Sequence, residues 1–224
     1  MITLGFVTGC EPGKWIDRYA ENAPHGVNAQ GMDDPMAALL THEVDVALVR
    51  LPDPRLDTDE MHLVRLYEES RGVAVPKDSV FAEAGGAMAP ADLEGEIVNY
   101  RLADDGTVDV AKVRDALQIV AANVGIAIAP APLLKILSKK QVVPLIYDDE
   151  TVPVTSIALA WFKDRDADDI QDFVGVAKGR GANSTRQSAP AAKHAKPAAK
   201  KSSGKKPAAR KPASRKPRRT GKRR

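Results

Sequence analysis

Ile2-Thr-Leu-Gly-Phe-Val-Thr-Gly-Cys-Glu-Pro-Gly-Lys-Trp15 opens the chain and sets its architecture. Ile2, Leu4 and Phe6 alternate with Thr3 and Gly5, and Val7 extends the apolar run. That spacing predicts a short strand with a buried face. Two glycines and a proline between Thr8 and Gly13 are loop chemistry, and Trp15, Ile16 and Tyr19 then fall at helical spacing. In open α/β sheets a loop between strand and helix offers backbone N–H groups to a ligand. A phosphate-loop reading of Gly9 to Lys14 fails, because only three residues separate the glycines and Trp15 stands where a magnesium-binding Ser or Thr is needed.

The pattern repeats. Gly26 to Gln30 reads as a second strand. Asp33-Asp34-Pro35 reads as a helix start, with an acidic cap and a proline in the first turn. Val44-Asp-Val-Ala-Leu-Val49 is a buried strand, stopped by Arg50-Leu-Pro-Asp-Pro54. This β-α-β-α-β order favours a parallel sheet with helices on its faces. Strands are expected at 62–67, 72–75, 96–100, 142–147 and 156–162, with a buried run at 125–130. Pro76 to Asp92 reads as loop. Helices are expected over 109–122, 133–137 and 168–177, the first capped by Asp109.

Charge divides the chain. Residues 181–224 hold 16 Lys+Arg and no acid, so residues 1–180 keep the other 17 of the 33 basic residues against all 30 Asp+Glu, a net of −13. The tail lacks aromatic and branched aliphatic residues, cannot bury enough apolar surface to offset its ordering entropy, and is expected to be disordered. Its charge matches a phosphate backbone, through Lys200, Lys201, Lys205, Lys206, Arg210, Lys211, Arg215, Lys216, Arg218, Arg219, Lys222, Arg223 and Arg224. Without aromatics to stack on bases, sequence preference should be weak. A solubilising tail, or a charge match for the acidic body, are the alternatives.

Catalysis finds little support. His25, His42 and His62 stand outside any metal-ligand spacing, and no Gly-x-Ser-x-Gly elbow is present. No cofactor is expected. The sole cysteine, Cys10, excludes an internal disulfide. Near a helix start its thiol pKa could fall, although a lone small thiol is more often simply packed. With no apolar run long enough for a membrane span and no leader pattern, a cytoplasmic protein is expected.

Val44-Asp-Val-Ala-Leu-Val-Arg-Leu-Pro52 resembles the strand and loop of the effector-binding domain of LysR-type transcriptional regulators. Leu66-Tyr-Glu-Glu69 with Gly72-Val-Ala-Val-Pro-Lys-Asp78 is similar to that family's crossing into its second lobe. Val120-Ala-Ala-Asn-Val-Gly-Ile-Ala-Ile-Ala-Pro130 resembles its helix-then-strand signature, and the segment 172–186 resembles an actinobacterial stand-alone form. The resemblance covers about residues 2–186. It implies an α/β, type 2 periplasmic-binding-protein-like fold: two α/β lobes, a hinge and an interlobe cleft. The substrate-binding domain would span 1–180, with lobe I at about 1–74 and 164–180 and lobe II at about 75–163, followed by the tail at 181–224. Two departures stand out. The family's N-terminal helix-turn-helix is expected to be absent, since residue 2 already begins the effector domain. Few residues separate Tyr100 from Asp109, which leaves little chain for the cleft's far wall.

By position in such a fold, the near lobe offers Thr8, Gly9, Cys10, Asp33 and Arg50 to a ligand. The far lobe offers Asn99, Tyr100, Val124 and Gly125. Helix N-termini and Arg50 suit a carboxylate or other small anion, while Asp33 and Asp34 would repel one. Arg50 has the alternative of an ordinary salt bridge. The expected function is a LysR-like effector-binding protein of transcriptional regulation, sensing a small, anionic metabolite and touching DNA non-specifically through its tail, with nucleoid association possible. A homodimer, or a partner of other LysR-type proteins, is expected. The alternatives are a non-catalytic dimerisation partner of complete regulators, or a solute-binding protein or enzyme of the same fold.

Overall fold

The structure, a computed structural model, describes residues 1–23 and 26–179. The basic tail and its expected disorder and DNA contacts lie outside the described residues, as does His25.

Two five-stranded sheets organise residues 1–179. The first has the order β2-β1-β3-β10-β4. Its strands β1 (Ile2–Val7), β2 (Val27–Met32) and β3 (Val46–Leu51) run parallel, as the repeated strand–helix order requires. Strands β10 (Ser156–Phe162) and β4 (Met61–Glu68) complete it antiparallel. The second has the order β6-β9-β5-β8-β7, built from β5 (Arg71–Pro76), β6 (Ala87–Met88), β7 (Val98–Tyr100), β8 (Ile126–Pro130) and β9 (Val142–Tyr147).

Strand β3 explains how the first lobe packs. All its residues are buried, so it is covered on both faces. Its side chains alternate between two cores. Val46 and Leu48 join Ile157, Leu159 and Trp161 of β10 under helices α1 (Gly13–Asn22) and α6 (Asp168–Ala177). Ala47, Val49 and Leu51 join Ala158 and Ala160 under helix α2 (Pro35–Leu40). Tyr19 of α1 is fully buried, edge-on to Phe173 of α6 with ring centroids 5.5 Å apart, and its hydroxyl donates to the Asp169 carbonyl. The second lobe has its own core, in which Val113, Leu117 and Val120 of helix α4 (Val110–Ala121) pack with Val73, Ile126 and Ile128. Leu133 and Leu134 of helix α5 (Ala131–Leu137) close the same core.

Both acidic caps form as the sequence implies. The Asp34 carboxylate accepts from Ala37 N–H at 3.0 Å with Pro35 in the first turn of α2. Asp109 accepts from Lys112 N–H at 3.1 Å at the head of α4. Between Pro76 and Asp92 the expected loop contains helix α3 (Val80–Ala84), capped by Ser79, and the two-residue strand β6.

The expected lobe bounds shift. Gly72–Ala74 pair with β8 and β9 in the second sheet, and Ser156–Phe162 pair with β3 and β4 in the first. Antiparallel insertion of a late strand leaves no mark on local periodicity, so the return to the first lobe comes earlier than the sequence suggests. The crossings are therefore at Glu69–Ser70 and at 148–155. They lie side by side, with Glu69 N–H donating to the Thr155 carbonyl at 2.9 Å and Arg71 Nε to the Val152 carbonyl at 2.6 Å.

Candidate functional site

A cleft of about 550 Å³ opens between the lobes, within the range of small-molecule sites. The near wall is built from Val7, the segment 33–36 at the head of α2, Val49 and Arg50 at the end of β3, and the segment 52–55 after it. The far wall is Asp105 and the segment 107–111 leading into α4. Gly106 lets the far wall approach. Its φ is +80°, and a Cβ there would stand 3.3 Å from Pro52 of the near lobe and 3.2 Å from Pro153 of the crossing. The short stretch between Tyr100 and Asp109, expected to leave little chain for a wall, thus supplies Asp105, Thr107 and Val108 to it.

Arg50 forms the floor, with the buried Glu69 behind it. Arg50 Nε and Nη2 donate to the Glu69 carboxylate at 2.6 and 3.0 Å, and Nη2 also reaches the Thr8 carbonyl at 3.0 Å. Thr155 donates its hydroxyl to the same carboxylate at 2.8 Å. Arg50 is 8% exposed and Glu69 4% exposed. One buried ion pair therefore ties the end of β3 to both crossings. Such a pair stabilises only when the remaining hydrogen bonds are made, and here Thr8 and Thr155 make them. Arg50 is consequently a buried salt-bridge arginine, its charge matched by Glu69 rather than held open for a ligand carboxylate.

Arg55, the other guanidinium of the cleft, is spent on two acids. It meets Asp34 at 2.7 and 2.8 Å and Asp53 at 2.7 and 3.0 Å. Its hydrogen bonds hold the Asp34 carboxyl below the ordinary carboxylate value. Across the mouth, Arg114 of α4 donates to Asp33 at 2.7 Å, with both side chains about half exposed. Burial raises the pKa of Asp33, but its hydrogen bonds to Arg114 and Thr8 outweigh this and leave it lowered. Asp105 accepts both the N–H and the hydroxyl of Thr107, which lowers its pKa. The N-termini of α2 and α4 are already occupied by the caps Asp34 and Asp109. The features that make a ligand carboxylate attractive from sequence are therefore engaged by the protein's own groups.

Of the expected site residues, Asp33 and Arg50 line the cleft. Thr8 stands behind it, donating its hydroxyl to Asp33. Gly9 has φ +98°, and a Cβ there would come within 3.0 Å of both Arg50 and Leu133, so its smallness seats Arg50 and α5. Cys10 is buried, Tyr67 donates its hydroxyl to Sγ at 3.5 Å, and burial pushes the thiol pKa up, which favours the packed reading over the reactive one. Tyr100 accepts from Asp109 N–H at 3.1 Å and so positions the far wall without lining it. Asn99, Val124 and Gly125 lie away from the lining. The Asn99 amide donates to the Val124 carbonyl at 2.7 Å. Gly125 has φ +61°, and a Cβ there would stand 2.1 Å from the Ile97 carbonyl oxygen. It is a packing glycine.

Sequence reasoning missed Glu69, Thr155, Arg55, Asp53, Asp105, Thr107 and Arg114. Glu69 closes the Leu66-Tyr-Glu-Glu69 motif, and its burial beside Arg50 depends on pairing 19 residues apart. Among the described residues, no group of three or more His, Cys, Asp or Glu could hold a metal ion, and no helix is long and apolar enough to cross a membrane.

The LysR substrate binding domain family model matches residues 14–182. The chain belongs to that family. The LysR-type architecture recurs in solved structures at low identity. The BenM effector binding domain with its effector benzoate is 18% identical, covers 79% of this chain and 90% of its own, and has a TM-score of 0.58. Full-length CbnR complexed with its target DNA is 17% identical over 82% of this chain and 71% of its own, with a TM-score of 0.57. The reduced form of OxyR from N. meningitidis is 18% identical over 81% of this chain and 96% of its own, with a TM-score of 0.55. At these identities the likeness is one of fold. No curated protein matches the chain in sequence. The LysR-type fold accounts for the two lobes, the paired crossings and the cleft between them.

Proposed function

We propose that this LysR-type domain is a non-catalytic cytoplasmic sensor in transcriptional regulation, which binds a small-molecule effector in its interlobe cleft. The observation that carries the reading is the cleft of about 550 Å³, whose walls come from different lobes while its floor clamps both crossings. A ligand touching both walls has differential affinity for closed and open arrangements of the lobes, which is what an effector needs. A metabolite thermal-shift screen on the full chain tests this. A hit is expected to lose its effect in Asp53→Ala and Val108→Asp, on opposite walls. A hit indifferent to both substitutions would refute the site.

The basic tail supplies sequence-independent DNA contact in this reading. It carries 16 positive charges and no acids over residues 181–224. Affinity for duplex DNA should fall about a thousandfold or more between 50 and 200 mM salt, as for a protein making several phosphate contacts. A chain ending at residue 180 should not bind. Equal binding by the shortened chain would refute the tail's role.

Self-association belongs to the same proposal. Ile97 just before the edge strand β7, Val98 within it, Ile119 in the last turn of α4 and Val124 after that helix are 62%, 47%, 45% and 42% exposed. Exposed apolar side chains of this kind suit a second copy or another LysR-type protein. Val98→Lys with Ile119→Lys should shift sedimentation towards monomer. Unchanged sedimentation would assign the contact to another face.

A further inference from the structure

We propose that the interlobe cleft selects a small organic cation, a ligand with an amidinium, guanidinium or ammonium group seated against Asp105 and Asp33 and a short apolar body beside Val7, Met36, Pro52 and Val108. This rests on the reading of the cleft as the effector site and names the class of ligand it takes.

The charge pattern of the walls carries the inference. Five carboxylates line the cleft, Asp33, Asp34, Asp53, Asp105 and Asp109, against two guanidiniums. Neither guanidinium is open to an anion. Arg50 is matched by the buried Glu69, and Arg55 is shared by Asp34 and Asp53, so that group keeps a net negative charge. The helix ends are also closed to an anion, because Asp34 and Asp109 already cap them. Beyond the lining, Arg114 and Lys112 pair with Asp33 and Asp109, so with Glu69 counted six carboxylates face four cations, and an anionic ligand would enter a net negative field in which each cation already has a carboxylate partner.

Two carboxylates are open to a cation. Asp105 pairs with no cation among the described residues, and both of its hydrogen bonds from Thr107 fall on Oδ1. Its position is set by Gly106, wedged against Pro52 and Pro153. Asp33 is held by Arg114 from the opposite lobe, through a pair whose side chains are 46% and 47% exposed. Such an exposed pair contributes little, so a ligand cation can take Arg114's place at small cost. Exchange of Arg114 for a ligand cation would replace a direct tie between the lobes with one that runs through the ligand.

Benzamidine, benzoate and neutral benzamide share a shape and differ in charge, so they separate charge from size. Titrations of the ¹⁵N-labelled full chain at matched ionic strength read the amides of Val108, Val110 and Ala111 on the far wall. Benzamidine is expected to shift these amides saturably, with an affinity about tenfold or more above that of benzoate. Asp105→Asn keeps the acceptor for Thr107 and removes the charge, so it should weaken benzamidine about threefold. Asp33→Asn should do the same, and the double variant should lose about tenfold. Saturable far-wall shifts with benzoate at equal or better affinity would overturn the cation inference and leave the cleft as a ligand site. Far-wall amides unmoved by all three compounds would overturn both. Benzamidine binding unaltered in the double variant would also overturn the inference.

Discussion

Glu69→Gln isolates the buried clamp at the crossings. The substitution keeps the shape of the side chain and removes its charge, leaving the Arg50 guanidinium in a site where its residue is only 8% exposed. Breaking a buried pair by neutralising one partner costs about 3–5 kcal/mol, because the other charge stays buried and uncompensated. The amide oxygen that replaces the carboxylate still accepts one hydrogen bond, so the lower end, about 3 kcal/mol, applies. For a domain of this size each kcal/mol corresponds to about 2–4 °C in Tm, so a fall of about 6–12 °C is expected. Urea denaturation followed by the fluorescence of Trp15 and Trp161 reads the same loss. Arg50→Met combined with Glu69→Met removes both charges and should recover most of the stability. Thr155→Val removes one hydroxyl that donates to Glu69 at 2.8 Å and should cost about 1 kcal/mol. A Tm for Glu69→Gln within about 1 °C of the parent, or a double variant less stable than either single one, would refute the clamp.

Three further outcomes are expected. Gly125→Ala should destabilise by about 2 kcal/mol or more in urea, because its Cβ would stand 2.1 Å from the Ile97 carbonyl oxygen at a φ of +61°. A wild-type midpoint would show that the turn can relax. Cys10, buried and with its thiol pKa raised by burial, should resist alkylation at pH 7 in the native protein and react promptly in urea; equal rates would contradict its packing. Hydrogen bonds from Arg55 and Arg165 hold the carboxyls of Asp34 and Asp169, respectively, below the ordinary value. Their stabilisation is therefore present above about pH 4 and is lost as pH falls through the lowered folded-state values. Urea midpoints should drop below about pH 4, and less so in Asp34→Asn with Asp169→Asn; an identical acid profile in that variant would assign acid lability elsewhere.

Much of the first lobe is legible because its signals are local. Val46 to Val49 is a continuous apolar run, and Asp34-Pro35 and Asp109 announce helix starts within three residues of the N–H groups they cap. The site is less legible because its chemistry is long-range. Arg50 at a strand end looks available in sequence, and only the fold brings Glu69 and Thr155 onto it. Gly125 carries the look of a ligand turn, yet the backbone of Ile97 is what demands it. The stretch between Tyr100 and Asp109 looks too short for a wall, although a wall needs few residues when Gly106 lets it press against Pro52. Strand β10 reads correctly as a strand but falls in the other lobe from the one expected, since periodicity reports burial and not partners.

The central claim is that an effector is held between the lobes. Hydrogen exchange of the full chain with and without a metabolite that raises its Tm tests this most directly. The account predicts slowed exchange on both walls together, at residues 36–37 of α2 and residues 107–111 ahead of and into α4. Protection confined to one wall, or lying wholly outside both, would contradict it.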